Sequence, residues 1–247
     1  MGGAILVFKT RPASPPAYRR PKQSTPANGA ADKTQKTPAS NPATEPQKED
    51  MIEDAIALGN SARDSNPPRY EDAERAYKLA AKLEPRDPRP YIGLGNILYD
   101  QKKFSEAAEA YQTALYLGVP RSSSMFGSFS RLNGVADRPA PYQVFINLSR
   151  KGELHAYLGT ALLQSGEFRN AETELKQAIA DQNEEAEARA RSHLSYNKDA
   201  SWHAMLGYSL SMQKRYAEAA AAYRTAVELD PGNADYKRLL EQSVRSQ

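Results

Sequence analysis

His155, His193 and His203 are the only histidines in this chain of 247 residues, and no cysteine accompanies them. Imidazole metal sites need ligands at short fixed spacings, such as two histidines one helical turn apart, and these three do not supply one. Without cysteine there is no disulfide, no thiolate-bound metal and no cysteine nucleophile. The sequence contains no glycine-rich phosphate loop and no serine in a strand-turn-helix elbow. Paired carboxylates fall only in helix-start or linker contexts. The chain is therefore expected to have no catalytic residues, no cofactor, no metal and no small-molecule substrate.

Charge gives a second line of reading. The net charge is +3, too small for a nucleic-acid footprint over the whole chain. Residues 1–50 carry eight Lys/Arg against four Asp/Glu and so hold +4, which leaves about −1 for the rest. Residues 9–50 contain eight of the 17 prolines among Ser, Thr, Ala, Gln and Lys. Such a stretch buries too little apolar surface to offset its ordering entropy, so 1–50 is expected to be a disordered, basic, Pro-rich tail or linker. Within it Pro15-Pro16-Ala17-Tyr18 has the form read by WW domains, a match that chance often supplies. Asn147-Leu148-Ser149 has glycosylation spacing, but no secretory signal accompanies it. The apolar run Gly2–Phe8, followed by Lys9 and Arg11, is read first as a free terminus. The alternative is the tail of a membrane anchor that continues upstream. As a helix it would reach only about 10 Å, against roughly 30 Å for a bilayer core.

The elements that must position any functional residue repeat from residue 51 onward. Ala73 and Ala107, Tyr77 and Tyr111, and Ala80 and Ala114 are each 34 residues apart. Four segments contain Leu-Gly: Leu58-Gly59, Leu94-Gly95, Leu158-Gly159 and Leu206-Gly207. Each is followed by an aromatic (Tyr70, Phe104, Phe168, Tyr216) that opens a second segment. In it come Ala73, Ala107, Ala171 or Ala219, then Tyr77, Tyr111, Leu175 or Tyr223, then Ala80, Ala114, Ala178 or Ala226. Steps of three and four put these residues on one face of a helix. Small residues let two antiparallel helices approach, large ones fill the space between pairs, and Pro85 and Pro231 end the second helix. One pair leaves an apolar face bare, so pairs must stack.

These residues resemble the tetratricopeptide repeat family, most closely over Ser201–Gly232 and then over Pro88–Arg121. The resemblance implies an all-α fold, an α-solenoid of four helix-turn-helix units. The expected repeats are 52–87, 88–121, 152–185 and 200–233, separated by insertions at 122–151 and 186–199. A capping helix is expected over 234–245, with Tyr236, Leu239, Leu240 and Val244 on one face. Together they form one domain over 51–247 behind the disordered N-terminal tail. The second insertion carries Glu185/Arg189 and Glu187/Arg191 at i,i+4, so the third repeat's second helix is expected to run on toward Arg191 with its charges solvated.

In the family the first helices line a concave groove. Carried over, the positions of most interest are Asn60, Arg63, Arg89, Asn96, Tyr99, Thr160, Tyr208 and Met212. Asn amides would hold a peptide backbone, Arg63 and Arg89 a carboxylate, and Tyr99, Tyr208 and Met212 apolar groups. The carboxylate clamp of the chaperone-binding members is not matched, since Ile56 stands where Lys is needed and the third repeat offers Glu153 and Ala156 rather than cations. The insertion 122–151 is rich in apolar residues. It reads first as an extra element folded on the solenoid, and second as a docking element using Phe126, Phe129, Tyr142 and Phe145.

The expected role is a non-catalytic adaptor or scaffold that binds a protein or peptide partner, as a subunit or assembly factor of a larger complex. It would be cytoplasmic or membrane-associated. Two alternatives stand beside it. One is the regulatory or sensor part of a membrane-anchored enzyme such as a kinase. The other is a protein held to anionic lipid or, less expected, to nucleic acid by Lys9, Arg11, Arg19, Arg20 and Lys22.

Overall fold

A computed structural model describes residues 45–118 and 140–247, with side chains over 47–118 and 151–247. The described residues form helices and no strands. The helices are α1 (Glu45–Arg63), α2 (Tyr70–Leu83), α3 (Arg89–Asp100), α4 (Phe104–Leu117), α5 (Ala140–Ser165), α6 (Phe168–Arg191), α7 (Ala200–Met212), α8 (Tyr216–Leu229) and α9 (Ala234–Arg245). They pack as four antiparallel pairs, α1/α2, α3/α4, α5/α6 and α7/α8, stacked in chain order with α9 against α8.

Each pair is closed at the glycine of its Leu-Gly, and the large residues expected between pairs also fill the gap within them. A Cβ added at Gly59 would lie 2.6 Å from the Tyr77 ring, at Gly95 2.5 Å from Tyr111, and at Gly207 2.8 Å from Tyr223. At Gly159 it would lie 2.8 Å from Leu175 Cγ. All four large partners are buried. The glycine is thus the only residue that lets the ring lie against the backbone of the facing helix.

Turns within three of the pairs share one backbone form. Lys102, Gly166 and Lys214 lie at positive φ, and the next residue's N–H reaches back to the helix: Lys103 to Leu98 O, Glu167 to Leu162 O and Arg215 to Leu210 O, at 2.8–3.0 Å. This is the Schellman closure of a helix C-terminus. It starts the second helix at Phe104, Phe168 and Tyr216, as the sequence predicts. Asp199 caps α7 through the Ser201 N–H at 2.8 Å, and Asn233 caps α9 through the Asp235 and Tyr236 N–H groups.

Four details differ from the sequence expectations. Helix α1 begins at Glu45, inside the expected tail, and Lys48 pairs with Glu84 at 2.9 Å. Helix α5 takes in residues 140–151 of the expected insertion, so the third hairpin is longer than the others. Helix α6 does run to Arg191, for no proline stands at Asn183, but its charges are not all solvated. Asp181, Gln182 and Glu185 are buried, Glu185 completely, because α5 and α7 cover this side of the extended helix. Asp181 takes Lys151 at 3.3 Å and Gln177 at 2.8 Å; Glu185 pairs with Arg189 at 2.6 Å; Gln182 Oε1 accepts from the Asp199 N–H at 2.6 Å. Of the charged residues in that run, Glu184, Glu187 and Arg191 stay exposed. In α9 the buried stripe is Tyr236, Leu239 and Ser243, while Val244 is exposed.

Gly207→Ala tests the seam. Ala normally stabilises a helix interior over Gly by about 0.5–1 kcal/mol. Here the added methyl meets the Tyr223 ring, and overpacking of a filled core costs about 1–3 kcal/mol. The substitution is expected to lower the denaturant midpoint; an unchanged or higher midpoint would show that the seam has room.

Candidate partner-binding groove

The residues expected to line the groove divide into two groups. Asn60 and Asn96, both half-buried, accept a hydrogen bond at Oδ1 from the hydroxyls of Tyr77 and Tyr111, each at 2.8 Å. The tyrosine that fills the seam at Gly59 or Gly95 therefore also fixes the amide one residue along from that glycine on the facing helix, which leaves the amide N–H2 donors as its remaining polar group. Arg63 donates to Asp64 at 3.0 Å. Its guanidinium also lies within electrostatic range of Tyr77, Asp100, Tyr111 and Tyr157. Burial opposes its charge, but Tyr77, Asp64 and Asp100 outweigh that and raise its pKa. Tyr99 stands edge-on to Phe104 with centroids 5.2 Å apart, and Tyr111 lies 5.8 Å from Tyr157. Tyr208 is half-buried beside Tyr223, and Met212 is exposed.

The second group is turned to other work. Arg89, 4% exposed, is held by Asp87 at 2.5 Å, by Glu53, and by Glu49 at 3.9 Å. These carboxylates come from α1 and from the turn before α3, so the guanidinium ties the first two repeats together. Thr160 is buried, 2.7 Å from Ala156 O and 3.0 Å from Met205 Sδ. It joins α5 to α7 rather than facing an open surface. Of the insertion residues, Phe126 and Phe129 lie outside the described residues. Tyr142 and Phe145 belong to α5, with side chains outside the described set.

The sequence reading did not name Tyr77, Tyr111 and Tyr157 as neighbours of the expected groove residues. The first two carried a signal, a phenol rather than a phenyl at a core position, since a buried hydroxyl needs a partner. His155 bonds Glu174 at 2.6 Å, and His203 has its pKa lowered, mainly by burial. Among the described residues no group of three or more His, Asp or Glu could hold a metal ion, and no helix is long and apolar enough to cross a membrane.

A tetratricopeptide repeat model matches residues 56–122 and 158–234, more than half of the chain. The chain belongs to the tetratricopeptide repeat family. No curated protein gives a significant match. Among solved structures, a double mutant of MamA RS-1 superposes with a TM-score of 0.56 at 19% identity, covering 80% of this chain and 86% of that one. YrrB, described as a tetratricopeptide repeat protein with an unusual peptide-binding site, gives 0.53 at 21% identity, covering 80% and 79%. MamA 41-end from Desulfovibrio magneticus RS-1 gives 0.53 at 17% identity, covering 80% and 91%. At these identities the likeness is one of fold. Tetratricopeptide repeat proteins are generally non-catalytic, and their fold supports protein–protein interaction.

The buried tyrosines set a pH dependence. Burial pushes Tyr77 and Tyr223 up to about 12 and Tyr111 well above its usual range. Unfolded phenols ionise near 10. Above that pH the unfolded state holds fewer protons than the folded one, so stability is intact below about pH 10 and falls as pH rises toward 12. Denaturant midpoints should be flat to about pH 9 and drop by about pH 11, with a shallower drop in Tyr77→Phe. A midpoint level across that range would contradict the buried, protonated phenols.

Proposed function

We propose that the chain is a non-catalytic adaptor whose groove holds an extended segment of a protein partner. The observation that carries this reading is the succession along the first helices of two fixed amides followed by three rings. Asn60 of α1 and Asn96 of α3 are each oriented by a tyrosine, and Tyr99 of α3, Tyr157 of α5 and Tyr208 of α7 follow along the stack, with Met212 exposed at the end of α7. An amide fixed at Oδ1 suits the backbone carbonyl of a bound strand. Rings supply contact area at little cost in conformational entropy, and a flexible thioether adapts to side chains of varied shape. Arg63 with Asp64 supplies one charged anchor, and Arg89 and Thr160 act in the framework instead. YrrB, the similar structure whose description names a peptide-binding site, is consistent with such a use of the fold.

The test is capture of partners by the full chain, compared with Tyr208→Ala and Met212→Asp. Both side chains lie at the surface or only half within it, so the fold should be kept, as a thermal melt would verify. Loss of at least tenfold in affinity for the captured partner is expected from the pair. Unchanged binding by both folded variants would move the site away from the groove.

A further inference from the structure

In each repeat after the first, three positions of the first helix pack on the second helix of the repeat before it. In α3 these are Pro90, Gly93 and Ile97, all buried, and a Cβ on Gly93 would strike the Tyr77 ring of α2. In α7 they are Trp202, Met205 and Ser209, all buried, with Ser209 Oγ donating to Phe168 O at 2.6 Å. In α5 they are Leu154 and Ala161, buried, and Tyr157, set against Tyr111 of α4. The same positions in α1 are Asp54, Ala57 and Ser61, and all three are exposed. Leu58 tells the same story: its counterparts Leu158 and Leu206 are 3% and 9% exposed and Leu94 is half-buried, whereas Leu58 is 57% exposed. Residues 54, 57, 58 and 61 follow i, i+3, i+4, i+7 and make one continuous stripe. The other end of the solenoid is closed, since α9 buries Tyr236 and Leu239 and exposes Lys237, Arg238 and Glu241. Among the described residues, one end of the stack is covered by a helix and the other shows an exposed face with no helix on it.

We propose that this stripe of α1 is covered by the chain's own segment Ala4–Phe8. That segment is five consecutive apolar residues, Ala4-Ile5-Leu6-Val7-Phe8, in an otherwise polar stretch ahead of α1. Ala57 and Ser61 are small and leave a trough in which a large side chain can seat, as Tyr77 does over Gly93, and Leu58 forms its wall. Ser61 does not spoil the trough for such an occupant. At the equivalent position of α7, Ser209 is buried and gives its hydroxyl to a backbone carbonyl, and a covering segment offers carbonyls of the same kind. Lys9 follows Phe8 directly and matches the charge of Asp54 at one end of the stripe. The tether is long enough. The 36 residues from Lys9 to Thr44 span roughly 33 Å root-mean-square even as a flexible coil. The stripe lies about 14 to 24 Å along α1 from Glu45, at about 1.5 Å per residue. Tethering holds the segment at roughly millimolar effective concentration beside the stripe. This favours it over a second copy of the chain in dilute solution. The residues involved are distinct from those of the groove, so the two readings can fail separately.

The test uses a photo-crosslinking residue at Leu58 in the full chain, with the reciprocal probe at Phe8. Both are expected to yield a crosslink between residues 1–9 and α1 within the monomer, at a yield independent of protein concentration. The crosslink should fall at least fivefold with Leu6→Asp combined with Phe8→Asp in the Leu58-probe chain, and with Ala57→Glu in the Phe8-probe chain. Circular dichroism would show that each variant is folded. Crosslinked dimers whose yield rises with concentration would assign the stripe to a second copy. Capture of the Phe8 probe only by phosphatidylglycerol vesicles would assign the segment to lipid. Either result, or the absence of any crosslink from both probes, overturns the proposal.

Discussion

A tyrosine or leucine lying where a methyl group would otherwise be sets the distance between the helices of every pair. Gly59, Gly95, Gly159 and Gly207 have no side chain, and Tyr77, Tyr111, Leu175 and Tyr223 occupy the space. Dispersion and apolar burial then act at full contact, which is why a helix of 14 residues such as α4 or α8 is held although it would be marginal alone. Because the large side chains come from the second helix and the gaps from the first, the pairs have a fixed direction. Stacking them in one direction leaves a face lined by the first helices.

The same constraint reaches the groove. A ring at the seam brings its hydroxyl to the far side of the first helix, where it meets Asn60 or Asn96. Core packing and the orientation of the neighbouring amide thus depend on one tyrosine. The third and fourth repeats depart from this arrangement, the fourth with Tyr208 after its glycine. In the third, Leu175 has no hydroxyl, Thr160 stands where the asparagine would be, and that threonine is buried against Met205 of α7. The oriented amides are therefore confined to the first two repeats.

The helix pairs, their order and their turns were legible because they depend on local spacing. Gly, Ala and aromatic residues recur at intervals that only one geometry satisfies. What was not legible depends on neighbours distant in sequence. Arg89 sits at a position read as groove-lining, yet Glu53 lies 36 residues away and takes the guanidinium together with Asp87. Asp181 and Glu185 read as a solvated run because nothing local reveals that α5 begins early enough to cover them. The boundary at residue 50 failed by six residues, since Pro46 is compatible with the first turn of a helix and marked no end.

The most direct test of the central claim is a double-mutant cycle between Gly95 and Tyr111, read as unfolding free energy. If the ring is what an added methyl would strike, Gly95→Ala should cost clearly less in a Tyr111→Leu background than in the natural one. The coupling should be at least about 0.5 kcal/mol. Additive costs within error would mean that the glycine serves some other purpose, and the seam would not be what fixes the helix pairs.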